Sequence, residues 1–293
     1  MPRWTIDTPT SLNFGGVAAL RVRLISGSVA VLAADERPSV DVASVSGQPL
    51  LVTHEAGILT VSYEDISWEG LLGWLRPQRH SATVTITVPG DCPVQLGVVN
   101  ASAVISGMSA RASIKGVSGE ITLDGITGDI DANTVSGDLE AQGVDGGIRF
   151  KTLSGDLTVA DALIRRLDAK TVSGRVTADI DLAPAASLQA ATVSGDVAIR
   201  LPAGAGAQVD LRSASGRVDT AFDGLTSTRN PGPASVTGTL GTGDGRLSVS
   251  TVSGSVALLS RDPTPTTDRG ASTTTTTRVT EPSSGEGPEV GER

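Results

Sequence analysis

The sequence predicts an all-β protein: a single-domain β-solenoid, or β-helix, with coils of about 18 to 21 residues and a disordered C-terminal tail. Three observations lead to this fold class. A five-residue pattern, apolar-Ser-Gly-charged-apolar, recurs along most of the chain. Only 2% of the 293 residues are aromatic while 39% are hydrophobic, so the core consists mainly of Val, Leu, Ile and Ala. Outside the pattern, apolar and polar residues alternate with the period of a β-strand.

The repeated pattern is the strongest of these signals. Its central glycines are separated by 18, 18, 19, 21, 21 and 38 residues, and they are Gly119, Gly137, Gly155, Gly174, Gly195, Gly216 and Gly254. A period of this length is too short for a propeller blade or a helix pair. It fits one coil made of two strand segments, stacked on the next coil about 4.8 Å away.

The pattern also predicts which side chains face the core. If strand alternation runs unbroken through each glycine, the apolar residues two positions before and after it share the inner face. The expected inward column is Val117, Val135, Leu153, Val172, Val193 and Val252. The expected outward column is Thr134, Thr152, Thr171, Thr192 and Thr251, beside a column of serines.

The residue after each glycine supports the same stacking. This position reads Glu120, Asp138, Asp156, Arg175, Asp196 and Arg217, and its charges alternate in sign from Asp156 onward. Such alternation favours neighbouring coils, because like charges at strand spacing repel.

The repeats divide the chain into a domain and a tail. Residues 1–260 form the predicted domain, with irregular first coils over 1–95 and regular repeats over 96–260. Residues 261–293 are rich in Thr, Pro and Glu and have little to bury, so we expect disorder there. The hydroxyls of residues 272–277 offer phosphorylation sites; the alternative is an inert solubilising tail.

Composition and charge exclude several functions. A net charge of −9 without clustered Lys and Arg argues against nucleic acid as a partner. The single cysteine, Cys92, cannot form an intramolecular disulfide. The first residues lack the apolar run of a signal peptide and no stretch approaches a membrane span, so we expect a cytoplasmic protein.

No motif for catalysis, a cofactor or a metal is present in the sequence. His54 and His80 lie outside any known nucleophile motif, and the glycines do not form a phosphate-binding loop. Calcium binding is an alternative for five neighbouring carboxylates, although the calcium-binding β-roll repeat is absent: Asp124, Asp129, Asp131, Asp138 and Asp145. We therefore expect no enzyme, no cofactor and no metal.

One segment, residues 66–76, is unusually rich in large apolar groups. It interrupts two strands and is followed by further basic residues. It predicts either a flap that caps a solenoid end or a docking surface for a protein or a membrane interface. The candidate docking residues are Trp68, Leu71, Leu72, Trp74, Leu75, Arg76 and Arg79.

The repeated V-S-G-D-[VL] units resemble those of a known bacterial family. The resemblance extends to the strand from Val84 to Pro89 with its Pro-Gly turn and to the segment 247–254, and it covers about residues 15–260. The family is the toast-rack family, an adhesin-like domain of unknown function. The resemblance implies a β-solenoid fold and a link to envelope-stress signalling, and it implies no catalytic residues.

The sequence thus favours a non-enzymatic β-solenoid scaffold or interaction module with a protein partner, acting in envelope-stress signalling by resemblance. One alternative is a self-assembling filament like the bactofilins, in which open solenoid ends stack. The other is a polysaccharide-active β-helix enzyme, which the scarcity of aromatic rings argues against.

Overall fold

A computed structural model describes residues 2–63, 80–228 and 232–261, and the regular elements in these ranges are all β-strands. Seven strands precede the regular repeats: β1 (Arg3–Ile6), β2 (Thr10–Asn13), β3 (Ala19–Ala33), β4 (Ser39–Ser46), β5 (Leu50–Glu55), β6 (Ile58–Ser62) and β7 (Ser81–Val88). Nine form the repeats: β8 (Val94–Ser106), β9 (Ala112–Ser118), β10 (Glu120–Asp124), β11 (Thr127–Asn133), β12 (Asp138–Gln142), β13 (Asp145–Lys151), β14 (Leu157–Lys170), β15 (Val176–Thr192) and β16 (Val197–Pro202). Six complete the fold: β17 (Ala207–Ser213), β18 (Val218–Thr220), β19 (Thr226–Thr228), β20 (Ala234–Leu240), β21 (Gly245–Thr251) and β22 (Val256–Arg261).

The strands stack in two layers, which gives a β-solenoid-like fold. In each repeat an entry strand leads into the Ser-Gly corner and an exit strand leaves it. Entry strands β9, β11 and β13 pair in parallel, so that Ile130 lies between Ala112 and Ile148. Exit strands β10, β12 and the first part of β14 also pair in parallel, so that Leu139 lies between Ile121 and Leu157.

The core fills the space between the two layers. Inward side chains such as Ile148 and Leu157 are buried, and Phe150 is among the largest fully buried side chains. This core contains mainly aliphatic residues, as the composition predicts. The described part of the domain lies within Met1–Pro263; Arg261, assigned to the tail from the sequence, is the last residue of β22. The rest of the predicted tail lies outside the described residues.

The predicted inward and outward columns are wrong at the corner. The supposed inward residues Val135, Leu153, Val172, Val193 and Val252 are 44 to 57% exposed, and Val117 is only half-buried. The supposed outward threonines are 6 to 8% exposed: Thr134, Thr152, Thr171, Thr192 and Thr251.

The physical reason is a turn that breaks the alternation. The entry strand keeps its alternation up to the threonine, which still points inward. The next two residues, valine or leucine and then serine, occupy the turn and both point outward. Inward positions resume at the glycine and at the apolar residue two places later, so one extra residue separates the two buried sets.

The buried threonine hydroxyls are satisfied by the turn itself. The N–H groups of Gly155, Gly174, Gly195 and Gly254 each donate to the threonine three residues earlier, over 2.9 to 3.1 Å. In addition, Thr134 donates to Thr152 Oγ1 of the next coil over 3.0 Å. Because a buried hydroxyl is costly without a partner, these bonds explain why threonine occupies the inner face of the corner.

The corner glycines are required by the close approach of successive coils. A Cβ added to Gly174 would lie 1.9 Å from the carbonyl oxygen of Gly155, and one added to Gly195 would lie 1.8 Å from that of Gly174. Any side chain at these positions would push two coils apart.

The last coil does not stack in sequence order. β21 pairs with β15 on one side and β17 on the other, and β22 likewise lies between β16 and β18. In space the corner serines therefore follow the order Ser118, Ser136, Ser154, Ser173, Ser194, Ser253 and Ser215.

Both described ends of the stack carry antiparallel strands. At the first end β4 pairs antiparallel with β7, and β5 pairs antiparallel with β6. At the other end β20 covers β17, and the short β19 pairs with β20. These strands interrupt the parallel pairing on which another coil would otherwise stack.

Candidate functional site

The two histidines and the single cysteine pack against other residues of the fold. His80 Nδ1 accepts the backbone N–H of Gln48 over 2.9 Å, and its ring lies 5.6 Å from the Tyr63 ring. The ring of His54 packs 5.4 Å from that of Phe14. Cys92 is buried, and burial, with a smaller contribution from Asp91, raises its pKa to about 11. The thiol is therefore protonated at neutral pH.

Two of the five acidic residues that suggested a calcium site form ion pairs with arginines. Asp131 pairs with Arg111 and Arg149 at 3.4 and 3.3 Å, and Asp145 pairs with Arg165 at 3.7 Å. Among the described residues no group of three or more His, Cys, Asp or Glu is placed to hold a metal ion.

The docking segment predicted from the sequence lies outside the described residues. This applies to Trp68, Leu71, Leu72, Trp74, Leu75, Arg76 and Arg79. Their role as a docking surface or membrane contact stays a prediction.

Because the residues before the corner serines point outward and not inward, they form an apolar surface that the sequence did not predict. We call it the corner ridge; it consists of the residues that precede the corner serines, in spatial order Val117, Val135, Leu153, Val172, Val193, Val252 and Ala214. Among the large hydrophobic residues that the structure describes, Leu153 is the most exposed at 57%, followed by Val252 at 53%. Because successive coils are about 4.8 Å apart, the ridge presents a row of apolar side chains, one from each coil, at that spacing.

The corner serines give the ridge little polar character. Ser173 Oγ donates to the carbonyl of Leu153 over 3.3 Å, and Ser215 Oγ donates to that of Val252 over 3.0 Å. Ser136, Ser194 and Ser253 donate in the same way to the carbonyl of the ridge residue in the adjacent coil. Since these hydroxyls already donate to the backbone, the ridge presents mainly methyl groups to solvent.

A column of charges runs beside the ridge, at the position after each corner glycine. We call it the flanking column; its spatial order is Glu120, Asp138, Asp156, Arg175, Asp196, Ser255 and Arg217. Asp156 accepts the backbone N–H of Arg175 over 2.7 Å, and Asp196 accepts that of Ser255 over 2.8 Å. These bonds hold the two carboxylates in place. In each case only one carboxylate oxygen accepts the backbone N–H.

Basic residues collect on the outer side of the entry strands. A depression of about 250 Å³ there is lined by three cations, Arg21, Arg23 and Lys115, with Gln95, Gly97 and Ser113. A second depression, of about 460 Å³, contains Arg149 and Arg166 but also Asp129 and Asp131. The two sites differ in that the first has no carboxylate in its lining.

Comparison with known proteins finds a matching family model and several similar solved structures. The family model described as Toastrack matches residues 57–259, more than half of the chain. A "putative adhesin" from Parabacteroides distasonis is similar in structure at 10% identity, covering 86% of this chain and 96% of that chain, with a TM-score of 0.39. A "putative lipid binding protein" from the same organism has 14% identity, covers 86% and 97%, and has a TM-score of 0.42.

A "putative cell adhesion protein" from Clostridium sporogenes is also similar, at 10% identity, covering 87% of this chain and all of that chain, with a TM-score of 0.22. Comparison with curated proteins yields no match. Within the described ranges no helix has the length and apolar character needed to span a membrane. The match to the family model shows that the chain belongs to the Toastrack family.

Proposed function

We propose that the chain is a non-enzymatic interaction module whose binding surface is the corner ridge, and that the partner on this ridge is a second copy of the same fold. The observation that supports this most is the spacing of the exposed apolar side chains. Valine and leucine side chains project from neighbouring coils about 4.8 Å apart.

Few partners match that spacing. A β-strand lying along the ridge presents same-face side chains about 6.6 Å apart, and a helix presents them about 6 Å apart at i, i+4. Another solenoid edge presents them at the same spacing as the ridge, so each side chain of one copy can meet one side chain of the other along the whole ridge.

The flanking column selects one alignment of two ridges. In a two-fold dimer whose axis is perpendicular to the ridge, the two ridges run antiparallel, the two flanking columns lie on the same side, and each contact occurs twice. If the axis passes between Val172 and Val193, Arg175 of one copy faces Asp196 of the other, and Asp138 faces Arg217. If the axis passes through Val172 instead, Arg175 faces its own symmetry mate. Exposed ion pairs contribute only about 0.2–1 kcal/mol each, so they set the register more than the affinity.

The size of the ridge sets the expected affinity. Seven corners span about 30 Å, and a strip about 10 Å wide offers on the order of 300 Å² per copy, below the roughly 800 Å² of a standard interface. We therefore expect a weak dimer, with a dissociation constant on the order of 100 µM.

Sedimentation velocity from about 10 µM to about 1 mM tests the proposal. The triple variant Leu153→Ser, Val172→Ser, Val193→Ser removes the apolar middle of the ridge and should remain monomeric throughout. A matched control replaces three exposed apolar residues elsewhere, Leu32, Val104 and Leu259, by serine and should dimerise like the wild type. A wild type that stays monomeric at the highest concentration, or a control that loses dimerisation equally, would overturn the proposal.

Two other functions from the sequence are less well supported. An end-to-end filament needs exposed parallel strands at both ends, whereas the described ends carry the antiparallel β4 and β20. A polysaccharide-active enzyme needs a groove with two free carboxylates, and in the larger described depression Asp131 is bound by Arg111 and Arg149.

A role in envelope-stress signalling is the cellular part of the same proposal, and it rests on family membership. Cells lacking the protein should respond abnormally to envelope stress. The wild-type chain should restore the response, and the ridge triple variant should not. If the ridge triple variant restores the response as well as the wild type does, the cellular role does not depend on the ridge.

A further inference from the structure

We infer that the depression lined by Arg21, Arg23 and Lys115 is a binding site for a phosphate group, of the doubly or triply charged kind found in phosphate esters and diphosphates. The site lies on the outer side of the entry strands, on a different face from the corner ridge. It therefore goes beyond the proposed interaction module and does not depend on it.

Strand register brings the three cations together from distant parts of the sequence. β8 lies between β3 and β9, and its Gln95 faces Arg21 on one side and Ser113 on the other. Two residues further, Gly97 faces Arg23 on one side and Lys115 on the other. Because alternate residues of a strand share a face, these six residues form one outward grid with Gly97 between two long cationic side chains.

The glycine makes the grid concave. A side chain at position 97 would project between Arg23 and Lys115, and its absence leaves the depression of about 250 Å³. Val22 and Leu96 also line the depression, and because their side chains are buried in the core, their backbone forms its floor. A phosphate group with a small substituent fits a space of this size.

The polar groups around the depression are suited to an oxyanion. Two guanidinium groups and one ammonium supply forked and single N–H donors, and Gln95 and Ser113 add neutral donors. Among the described residues none of the three cations forms an ion pair, and no carboxylate lines the depression. Three unneutralised cations match a multiply charged anion better than a single carboxylate.

The second depression on the same side serves as an internal comparison. There Asp131 bridges Arg111 and Arg149, and Asp168 pairs with Arg149 and Lys170, so the protein neutralises its own cations. The first depression has the same kind of cations without this neutralisation. The scarcity of aromatic rings argues against nucleic acid strands, whose bases stack on aromatic side chains.

Isothermal titration calorimetry of the full chain with inorganic pyrophosphate, in buffer of about 20 mM ionic strength, tests the site directly. The variant Arg21→Gln, Arg23→Gln, Lys115→Gln should lose at least about tenfold in affinity. The control Lys151→Gln, Arg166→Gln, Arg246→Gln removes three exposed cations on the same side that form no ion pair with another described residue. It should lose less than about twofold in affinity.

A thermal melt gives an independent readout. Without ligand the depression variant should melt at a higher temperature than the wild type, because it removes mutual repulsion of the three cations. Pyrophosphate should raise the melting temperature of the wild type and of the control but not of the depression variant.

Vesicles of phosphatidylcholine with phosphatidic acid distinguish a phosphate on a lipid from a soluble one. Binding of both pyrophosphate and these vesicles assigns a lipid-borne phosphate, and binding of pyrophosphate alone assigns a soluble one. The inference is overturned if pyrophosphate does not bind, if only the vesicles bind, or if the control variant loses affinity as much as the depression variant.

Discussion

Replacing Thr171 by valine removes one buried hydroxyl while keeping the shape of the side chain. Thr171 is 6% exposed, and its Oγ1 accepts the N–H of the buried Gly174 over 2.9 Å. In the variant this N–H has no partner inside the turn, and a buried donor without a partner costs about 1–3 kcal/mol. For a domain of this size each kcal/mol lowers the melting temperature by about 2–4 °C, so we expect a decrease of about 2–12 °C.

The neighbouring residue provides the matched control. Val172→Thr introduces a hydroxyl of the same size at a position that is 44% exposed, and we expect a change of free energy of unfolding within about 0.5 kcal/mol. Urea unfolding followed by circular dichroism at pH 7 compares the two variants. If Val172→Thr destabilises the domain as much as Thr171→Val, the inward position of the threonine column is wrong.

Three further predictions follow from other parts of the fold. Gly174→Ala should destabilise the domain by at least about 1–3 kcal/mol in urea unfolding, because its Cβ meets a carbonyl oxygen at 1.9 Å; Gly204→Ala, with no atom within 4 Å, should not. Hydrogen bonds and charge from Arg200 and Arg261 lower the pKa of Asp179. The ionised carboxylate therefore stabilises the fold above its unfolded pKa of about 3.9, by under about 1 kcal/mol for these partly exposed ion pairs. The stability difference between wild type and Asp179→Asn should therefore shrink as the pH falls below about 4, and a constant difference from pH 7 to 2.5 would contradict this. Iodoacetamide at pH 8 should modify native Cys92 at least about 100-fold more slowly than the urea-unfolded chain, as its raised pKa and burial require; equal rates by mass spectrometry would refute it.

The sequence was sufficient to predict the fold class but not to predict which side chains at the corner face the core. Regular glycine spacing and aliphatic composition correctly predict an all-β, solenoid-like protein, because both follow from stacking coils about 4.8 Å apart. The orientation failed because strand alternation alone cannot show where a turn adds a residue. The signal that could have shown it is the threonine three positions before each glycine, since a β-branched hydroxyl residue there can bond to the glycine N–H.

The candidate sites depend on contacts that the sequence does not display. The corner ridge consists of residues that the pattern assigned to the core, and its exposure follows only from the turn. The phosphate site needs the register of β3, β8 and β9, which brings Arg23 and Lys115 to either side of Gly97 across more than 90 residues of sequence. In the sequence these cations are separated, which explains why composition alone indicated no basic cluster.

Disulfide trapping across the ridge tests the proposed dimer most directly. In a Cys92→Ala background, one preparation carries Leu153→Cys and another carries Val252→Cys, and each is oxidised alone and as a mixture near 1 mM. In the proposed alignment Leu153 of one copy faces Val252 of the other, while two copies of Leu153 lie three coils, or about 14 Å, apart. A disulfide needs Cα atoms within about 7 Å, so the mixture should form covalent dimers and neither preparation alone should do so. Equal cross-linking of Leu153→Cys alone and of the mixture, or no cross-linking in either, would contradict the account.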